Sequence, residues 1–308
     1  MSVIPIDDAD IPAARALRTE FARFWSTERG EPRTVYDRFT AATPTAADVN
    51  AQNATTDDPG PGIWVRPNDA TAGAAIMFVH GGGYGLGSAS SYVGLVSQIA
   101  ARTRVPVFAL EYPLAPEAQL PVALDLAVAT LGRLCDSHAA VAVVGDSAGG
   151  GLALATVARA VRAGLEVAAA VAFSPWTDLS LTGASVREHA VGDPLLDVAY
   201  LRASAAAYLG PAAPEDPRAS PLFGVASGGD ALPPLLIQVG SDEILLDDSR
   251  RFADAVAGRG GTVELEVWQG MHHVFQLNVE QLIPARRALD TAAEFISRHL
   301  NSSRSPAV

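Results

Sequence analysis

Val141-Ala-Val-Val-Gly-Asp-Ser147-Ala-Gly-Gly-Gly-Leu-Ala-Leu-Ala155 is the stretch whose reading decides the fold. A β-branched apolar run stops at Gly145, and an Ala/Leu-rich run starts directly after Ser147, so the serine sits where a strand turns into a helix. Gly145-Asp146-Ser147-Ala148-Gly149 is the G-x-S-x-G pattern of a nucleophile elbow. In so tight a turn, side chains two before and two after the serine would collide, which places glycine at both positions. The hydroxyl is left standing above the sheet edge, with the positive end of the helix behind it. The bland alternative is an ordinary Ser/Gly turn. A strand before, a helix after and a second motif upstream weigh against it.

That second motif is His80-Gly81-Gly82-Gly83, which follows the apolar strand run Ala74-Ala-Ile-Met-Phe-Val. When an ester carbonyl is attacked, its oxygen becomes an anion, and successive backbone N–H groups can reach it only where no Cβ obstructs them. A dinucleotide loop is the competing reading, but Leu86 stands where G-x-G-x-x-G needs its last glycine. Downstream, His272 and His273 follow the last strand, Val263 to Trp268, and the order nucleophile, acid, histidine is the one this kind of α/β sheet uses. The acid is expected after the strand Leu235 to Val239, where Asp242, Glu243, Asp247 and Asp248 crowd together. Most of these four carboxylates serve as helix N-terminal charges.

Composition narrows the alternatives. All 22 basic residues are Arg, so Schiff-base chemistry and a P-loop, both of which need lysine, are excluded. A net charge of −12 argues against nucleic acid or an anionic membrane as partner. The single Cys135 forms no intramolecular disulfide, fits a reducing compartment and reads as a small buried hydrophobe. The N-terminal residues show no signal-peptide pattern and no apolar run is long enough to span a bilayer, so the expectation is a cytoplasmic protein without stable membrane insertion.

Strand and helix patterns alternate along the chain, which specifies a mainly parallel sheet covered on both faces. Two stretches break the alternation. Residues 10–30 carry Ile11, Ala14, Leu17, Phe21, Phe24 and Trp25 at helical spacing, and the Pro/Gly/Ala/Asp-rich excursion from Leu179 to Asp230 holds one good helix, Val198 to Leu209. The expected division is an N-terminal cap segment over 1–45, a core over 46–178 and 226–308, and a cap insertion over 179–225. Phe24, Trp25, Tyr84, Trp176, Tyr200 and Tyr208 are the aromatic candidates for an apolar substrate pocket.

The blocks His80-Gly-Gly-Gly, Tyr112-Pro-Leu-Ala-Pro-Glu117, Gly145-Asp-Ser-Ala-Gly-Gly150, Asp216-Pro-Arg-Ala-Ser-Pro-Leu222, Leu232-Pro-Pro234 and Gly270-Met-His-His-Val-Phe275 run in one order from about residue 60 to 300. In these blocks the chain resembles the hormone-sensitive lipase family of bacterial esterases, and within it the acetyl esterases and monoterpene ε-lactone hydrolases. The resemblance implies an α/β-hydrolase fold, with a mainly parallel eight-stranded sheet, helices on both faces and a helical cap. It implies Ser147 as nucleophile, His273 rather than His272 as base, and oxyanion donors from the Gly81, Gly82, Gly83 loop and Ala148. It also implies no cofactor and no metal, a small ester and water as reactants, and possible homodimers through the last strand and helix. Two positions depart from the family pattern: Pro113 replaces an arginine, and a gapless count from Leu232-Pro-Pro234 puts Glu243 where the family has an aspartate acid. Asp242 is the alternative. The expected function is hydrolysis of short- to medium-chain acyl esters through an acyl-enzyme, with lactone activity left open by the sequence. Its rivals are a small-molecule receptor on the same fold and an amidase or peptidase with the same triad.

Overall fold

The computed structural model describes residues 1–187, 192–228 and 231–303. The parts of the expected insertion and tail at 188–191, 229–230 and 304–308 lie outside the described residues. Nine strands form one sheet: β1 (Ser2–Ile4), β2 (Val49–Asn53), β3 (Gly62–Pro67), β4 (Ala74–Val79), β5 (Val107–Leu110), β6 (Ala140–Asp146), β7 (Ala169–Phe173), β8 (Leu235–Gly240) and β9 (Val263–Trp268). Their spatial order is β1-β9-β8-β7-β6-β4-β5-β3-β2. From β1 to β5 every pairing is parallel, and only β3 and β2 join antiparallel at the far edge.

The helices are α1 (Ile11–Thr27), α2 (Pro32–Thr40), α3 (Val93–Thr103), α4 (Val122–Ser137), α5 (Ser147–Arg162), α6 (Ala184–Arg187), α7 (Val198–Leu209), α8 (Pro221–Ala226), α9 (Leu246–Ala257) and α10 (Ile283–Ser302). They divide over two cores. Met77 and Val143 of the sheet pack with Leu131 of α4, Leu152 of α5 and Phe252 of α9 on one face. Ile76 and Phe78 pack with Phe21 of α1, Leu95 of α3 and Phe295 of α10 on the other. Burial on both faces is why β4 and β6 are continuous Ala, Val, Ile, Met and Phe runs with no polar alternation.

The sheet has nine strands where eight were expected. The extra one is β1, which pairs in parallel with Glu266 to Trp268 of β9 and continues as Gln269 N–H donates to the Ile4 carbonyl at 2.9 Å. Three residues are too few to show a strand period, and the pairing joins the two ends of the chain, so no local pattern announces it. The N-terminal segment, expected to be cap throughout, therefore begins in the sheet. β1 also occupies the outer edge of β9, the edge through which a dimer had been anticipated. No helix among the described residues is long and apolar enough to cross a membrane.

Candidate active site

The strand-to-helix turn falls where the sequence places it, with β6 ending at Asp146 and α5 beginning at Ser147. Ser147 takes φ +52°, a left-handed conformation that costs a non-glycine residue energy and that tight packing must maintain. The reason for its glycine neighbours differs from simple mutual collision. A Cβ on Gly145 would lie 2.5 Å from the Gly149 carbonyl oxygen, but one on Gly149 would strike the carbonyls of Val79 and His80 at 2.3 and 2.2 Å. Gly149 thus lets α5 dock against the end of β4.

His273 Nε2 lies 2.8 Å from Ser147 Oγ, and His273 Nδ1 lies 2.7 Å from Glu243 Oε2. All three side chains are buried. Glu243 is fully enclosed, and its other oxygen accepts hydrogen bonds from Gly240 N–H at 2.5 Å and Ser174 Oγ at 2.9 Å. The gapless count therefore lands on the carboxylate that touches the imidazole. Asp242 turns outward to Arg18 of α1 and makes no contact with His273. Its backbone N–H donates to the Met271 carbonyl at 3.0 Å, which fixes the turn so that the two neighbours point apart.

Ser174 was not among the sequence candidates. It ends β7 with φ +47°, donates to Glu243, and accepts from Val274 N–H at 3.1 Å, so one hydroxyl ties the acid loop to the histidine loop. The only signal was a polar residue at the end of a buried strand. Burial alone would pull the His273 imidazole down, but the hydrogen bond and charge of Glu243 outweigh it and hold the ring above the ordinary value of 6.5. His272 is different. It is buried between Asn278, 2.9 Å from its Nε2, and the edge of Phe21, and burial lowers it to about 4.

The glycine loop needs one correction. Gly81 N–H donates to Asp146 Oδ1 at 2.9 Å, so it is already engaged and is not available to an oxyanion. Asp146 Oδ2 accepts from Tyr92, whose hydroxyl meets that of Tyr36 at 3.0 Å. Burial raises Asp146 to about 7 despite these hydrogen bonds. Gly82 and Gly83 line the same cavity as Ser147. Ala148 is buried in the first turn of α5, where its N–H has no partner within the helix.

That cavity has a volume of about 470 Å³. Trp25, Trp176 and Tyr200 stand in its wall, together with Tyr36, Phe39 and Leu277, which sequence reasoning missed because nothing local distinguishes them from core residues. Three expected pocket residues lie elsewhere. Tyr84 and Tyr208 stack on one another 3.8 Å apart with planes 3° from parallel, both buried away from the cavity, because two large rings in contact exclude solvent from each other. Phe24 faces a separate small cavity and touches the site only through Trp25 and Phe39.

The cover is tied to the acid loop at two points. Arg18 of α1 bonds the Gly192 carbonyl at 2.8 Å as well as Asp242. Asp193 accepts from Leu195 and Leu196 N–H with one oxygen and from Ile244 N–H at 3.0 Å with the other. Glu117 pairs at 2.5 Å with Arg33 of α2, so the loop that carries Pro113 is braced from the N-terminal segment.

Residues 76–277 match the family described as alpha/beta hydrolase fold. An acetyl-hydrolase of Streptomyces hygroscopicus is 38% identical over 297 residues, covering 92% of this chain and 96% of the relative. An esterase of Acinetobacter venetianus is 37% identical over 231 residues, covering 73% and 75%. A crystal structure of an esterase from the bacterial hormone-sensitive lipase family superposes with a TM-score of 0.87 at 31% identity, covering 94% of this chain and 98% of that one.

Proposed function

Because the chain belongs to the α/β-hydrolase fold family, in its bacterial hormone-sensitive lipase branch, and is a carboxylesterase, we propose that it cleaves short- to medium-chain acyl esters through an acyl-enzyme on Ser147. The observation that carries this reading is the unbroken run of contacts Glu243, His273, Ser147, at 2.7 and 2.8 Å. His273 Nε2 takes the hydroxyl proton as Ser147 Oγ attacks the carbonyl carbon. The carbonyl π pair moves onto oxygen, and the N–H groups of Gly82, Gly83 and Ala148 stabilise that charge. As the tetrahedral intermediate collapses, the bond to the alcohol oxygen breaks and His273 returns its proton to the leaving alkoxide. Water then repeats the sequence, releasing the acid and free Ser147. Glu243 keeps the imidazole in the right tautomer and stabilises its cation. A lactone is an ester closed on itself and is open to the same attack.

The helices α1 and α2 and the segment 192–209 act as the cap of this site. Trp25, Phe39, Leu196 and Tyr200 from these elements give the cavity its apolar wall, which suits alkyl chains. The wall carries Asp146, Asp193 and Asp197 and no arginine among the described residues, so anionic esters are disfavoured. A receptor would have no use for the Ser147 to His273 contact. The test is labelling of the purified protein with a fluorophosphonate and assay on nitrophenyl acetate and butyrate. Stoichiometric labelling is expected in the parent, while Ser147→Ala should lose the label and at least ~10³-fold in kcat. A Ser147→Ala variant with a tenth of parent activity overturns the assignment, and parallel anilide substrates measure any amidase activity.

A further inference from the structure

Behind the wall of the Ser147 cavity lies a second cavity of about 170 Å³, and two residues, Phe39 and Leu277, belong to the walls of both. Leu17, Phe21 and Phe24 of α1 form the apolar side of this second space. Phe39, at the end of α2, is half-buried and stands in the middle of an aromatic group, with ring centroids 5.2 Å from Trp25, 5.3 Å from Phe24 and 5.6 Å from Phe21. Leu277 sits in the one-turn 3₁₀ helix Phe275–Asn278 that follows the His273 loop. Phe39 and Leu277 are therefore the side chains that the two spaces have in common. On one side of them is Trp25, exposed to the Ser147 cavity, and on the other are Phe21 and Phe24.

We propose that Phe39, backed by Leu277, sets the chain-length limit of the ester this enzyme accepts, and that the second cavity is an extension of the substrate site which the Phe39 ring closes off. The inference rests on the reading of Ser147 as the nucleophile. A linear alkyl chain that enters the cavity ends against the Phe39 and Leu277 side chains. Each further methylene must displace the ring of Phe39 from its contacts with Trp25, Phe24 and Phe21, which is unfavourable because those ring contacts are lost. Removing the ring beyond Cβ joins the two spaces and offers the chain the Leu17, Phe21 and Phe24 side of the second space, whose opposite rim carries Glu20, Arg23, Asn278 and Gln281. A pocket discriminates single methylenes by roughly 10- to 200-fold in specificity, so opening or closing this partition should be plainly visible in kinetics.

The experiment uses the full chain and two substrate series: nitrophenyl esters of acids from two to twelve carbons, and acetates of linear alcohols over the same lengths. In Phe39→Ala the acyl or alcohol length at which kcat/KM falls should move outward by several carbons, with a relative gain of ~10-fold or more for the longest chains. Leu277→Ala opens the same partition from the other side and should move the limit in the same direction. Phe39→Trp thickens it and should move the limit inward. Titration with a small organophosphonate counts intact sites in each preparation, so that a poorly folded Phe39→Ala leaves the decision to Leu277→Ala and Phe39→Trp. The series that responds identifies whether the acyl or the alcohol arm lies against Phe39. Unchanged length limits in both series, in variants that titrate fully, overturn the proposal. Failure of the underlying reading looks different: the parent protein itself would not take up the phosphonate at Ser147.

Discussion

The strand ends that carry Ser147, Glu243 and His273 and the helices that cover them are built by different means. At the strand ends each group is held by buried hydrogen bonds in a fixed frame: Glu243 by Gly240 N–H and Ser174, the histidine loop by Val274 N–H on Ser174, and Ser147 by a left-handed turn jammed against β4. The cover is held by aromatic edges among Phe21, Phe24, Trp25 and Phe39, and by part-exposed ion pairs such as Arg18 with Asp242. Hydrogen bonds in the dry interior fix atoms to tenths of an ångström and leave few alternatives, whereas ring contacts and wet ion pairs tolerate rearrangement. On the proposed mechanism, chemistry draws its precision from the sheet, and selectivity is left to the covering layer.

The sharpest way to break this contrast is at the neighbours Glu243 and Asp242 of the acid loop, the first bonded to His273 and the second to Arg18 of α1. Glu243→Gln removes the charge that holds the His273 tautomer and should lower kcat by on the order of 10⁴, whereas Asp242→Asn should stay within about tenfold of the parent. Steady-state kinetics on nitrophenyl butyrate decide it, and the reverse ranking would make Asp242 the acid.

A second effect follows from the His273 titration. On the proposed mechanism His273 works only when neutral, and Glu243 holds its pKa above 6.5, so activity should be lost on acidification and recovered as the pH rises through that raised value. The kcat/KM profile of the parent should have its midpoint above ~6.5, and the residual activity of Glu243→Gln should rise at lower pH because the partner that raises the imidazole is gone. His272, lowered to about 4, stays neutral throughout this range and contributes nothing to the profile. A midpoint unmoved by Glu243→Gln would mean that the two groups do not communicate.

The smallest expected effect lies in the cover. Arg18→Ala removes a part-exposed pair with Asp242 and a bond to the Gly192 carbonyl, which together stabilise the protein by about 0.2–1 kcal/mol. The melting temperature should drop by a few degrees at most, less so in high salt, and kcat should remain within about fivefold of the parent. A loss in kcat as large as that of Glu243→Gln would show that the cover is part of the catalytic frame.

The elbow was legible because it is local: Gly145 to Gly149 encode a strand, a turn and a helix in one pentapeptide. Glu243 is legible only by counting from the nearby Leu232-Pro-Pro234 block, and Gly240 approaches the Met271 carbonyl as no larger residue could. Gly81 reads as a free donor from sequence because nothing in the tripeptide of glycines tells which N–H faces the cavity and which faces Asp146. Tyr84 and Tyr208 look like pocket aromatics in any window of sequence, yet each spends its face on the other. β1 is three residues with no period of their own.

Order along the chain is what the sequence alone determined: the alternation of strands and helices, the serine at its turn, the histidine after the last strand, and the absence of lysine with all that this excludes. These are properties of neighbouring residues, and backbone periodicity and turn sterics act over just such distances. Only the tertiary structure decided that Glu243 and not Asp242 meets the imidazole, that Ser174 joins the acid loop to the histidine loop, that Phe39 and Leu277 line two cavities at once, and that the first residues of the chain close the sheet beside the last strand. Each is a contact between segments remote in sequence, fixed by how whole layers pack, and no short window of residues contains both partners.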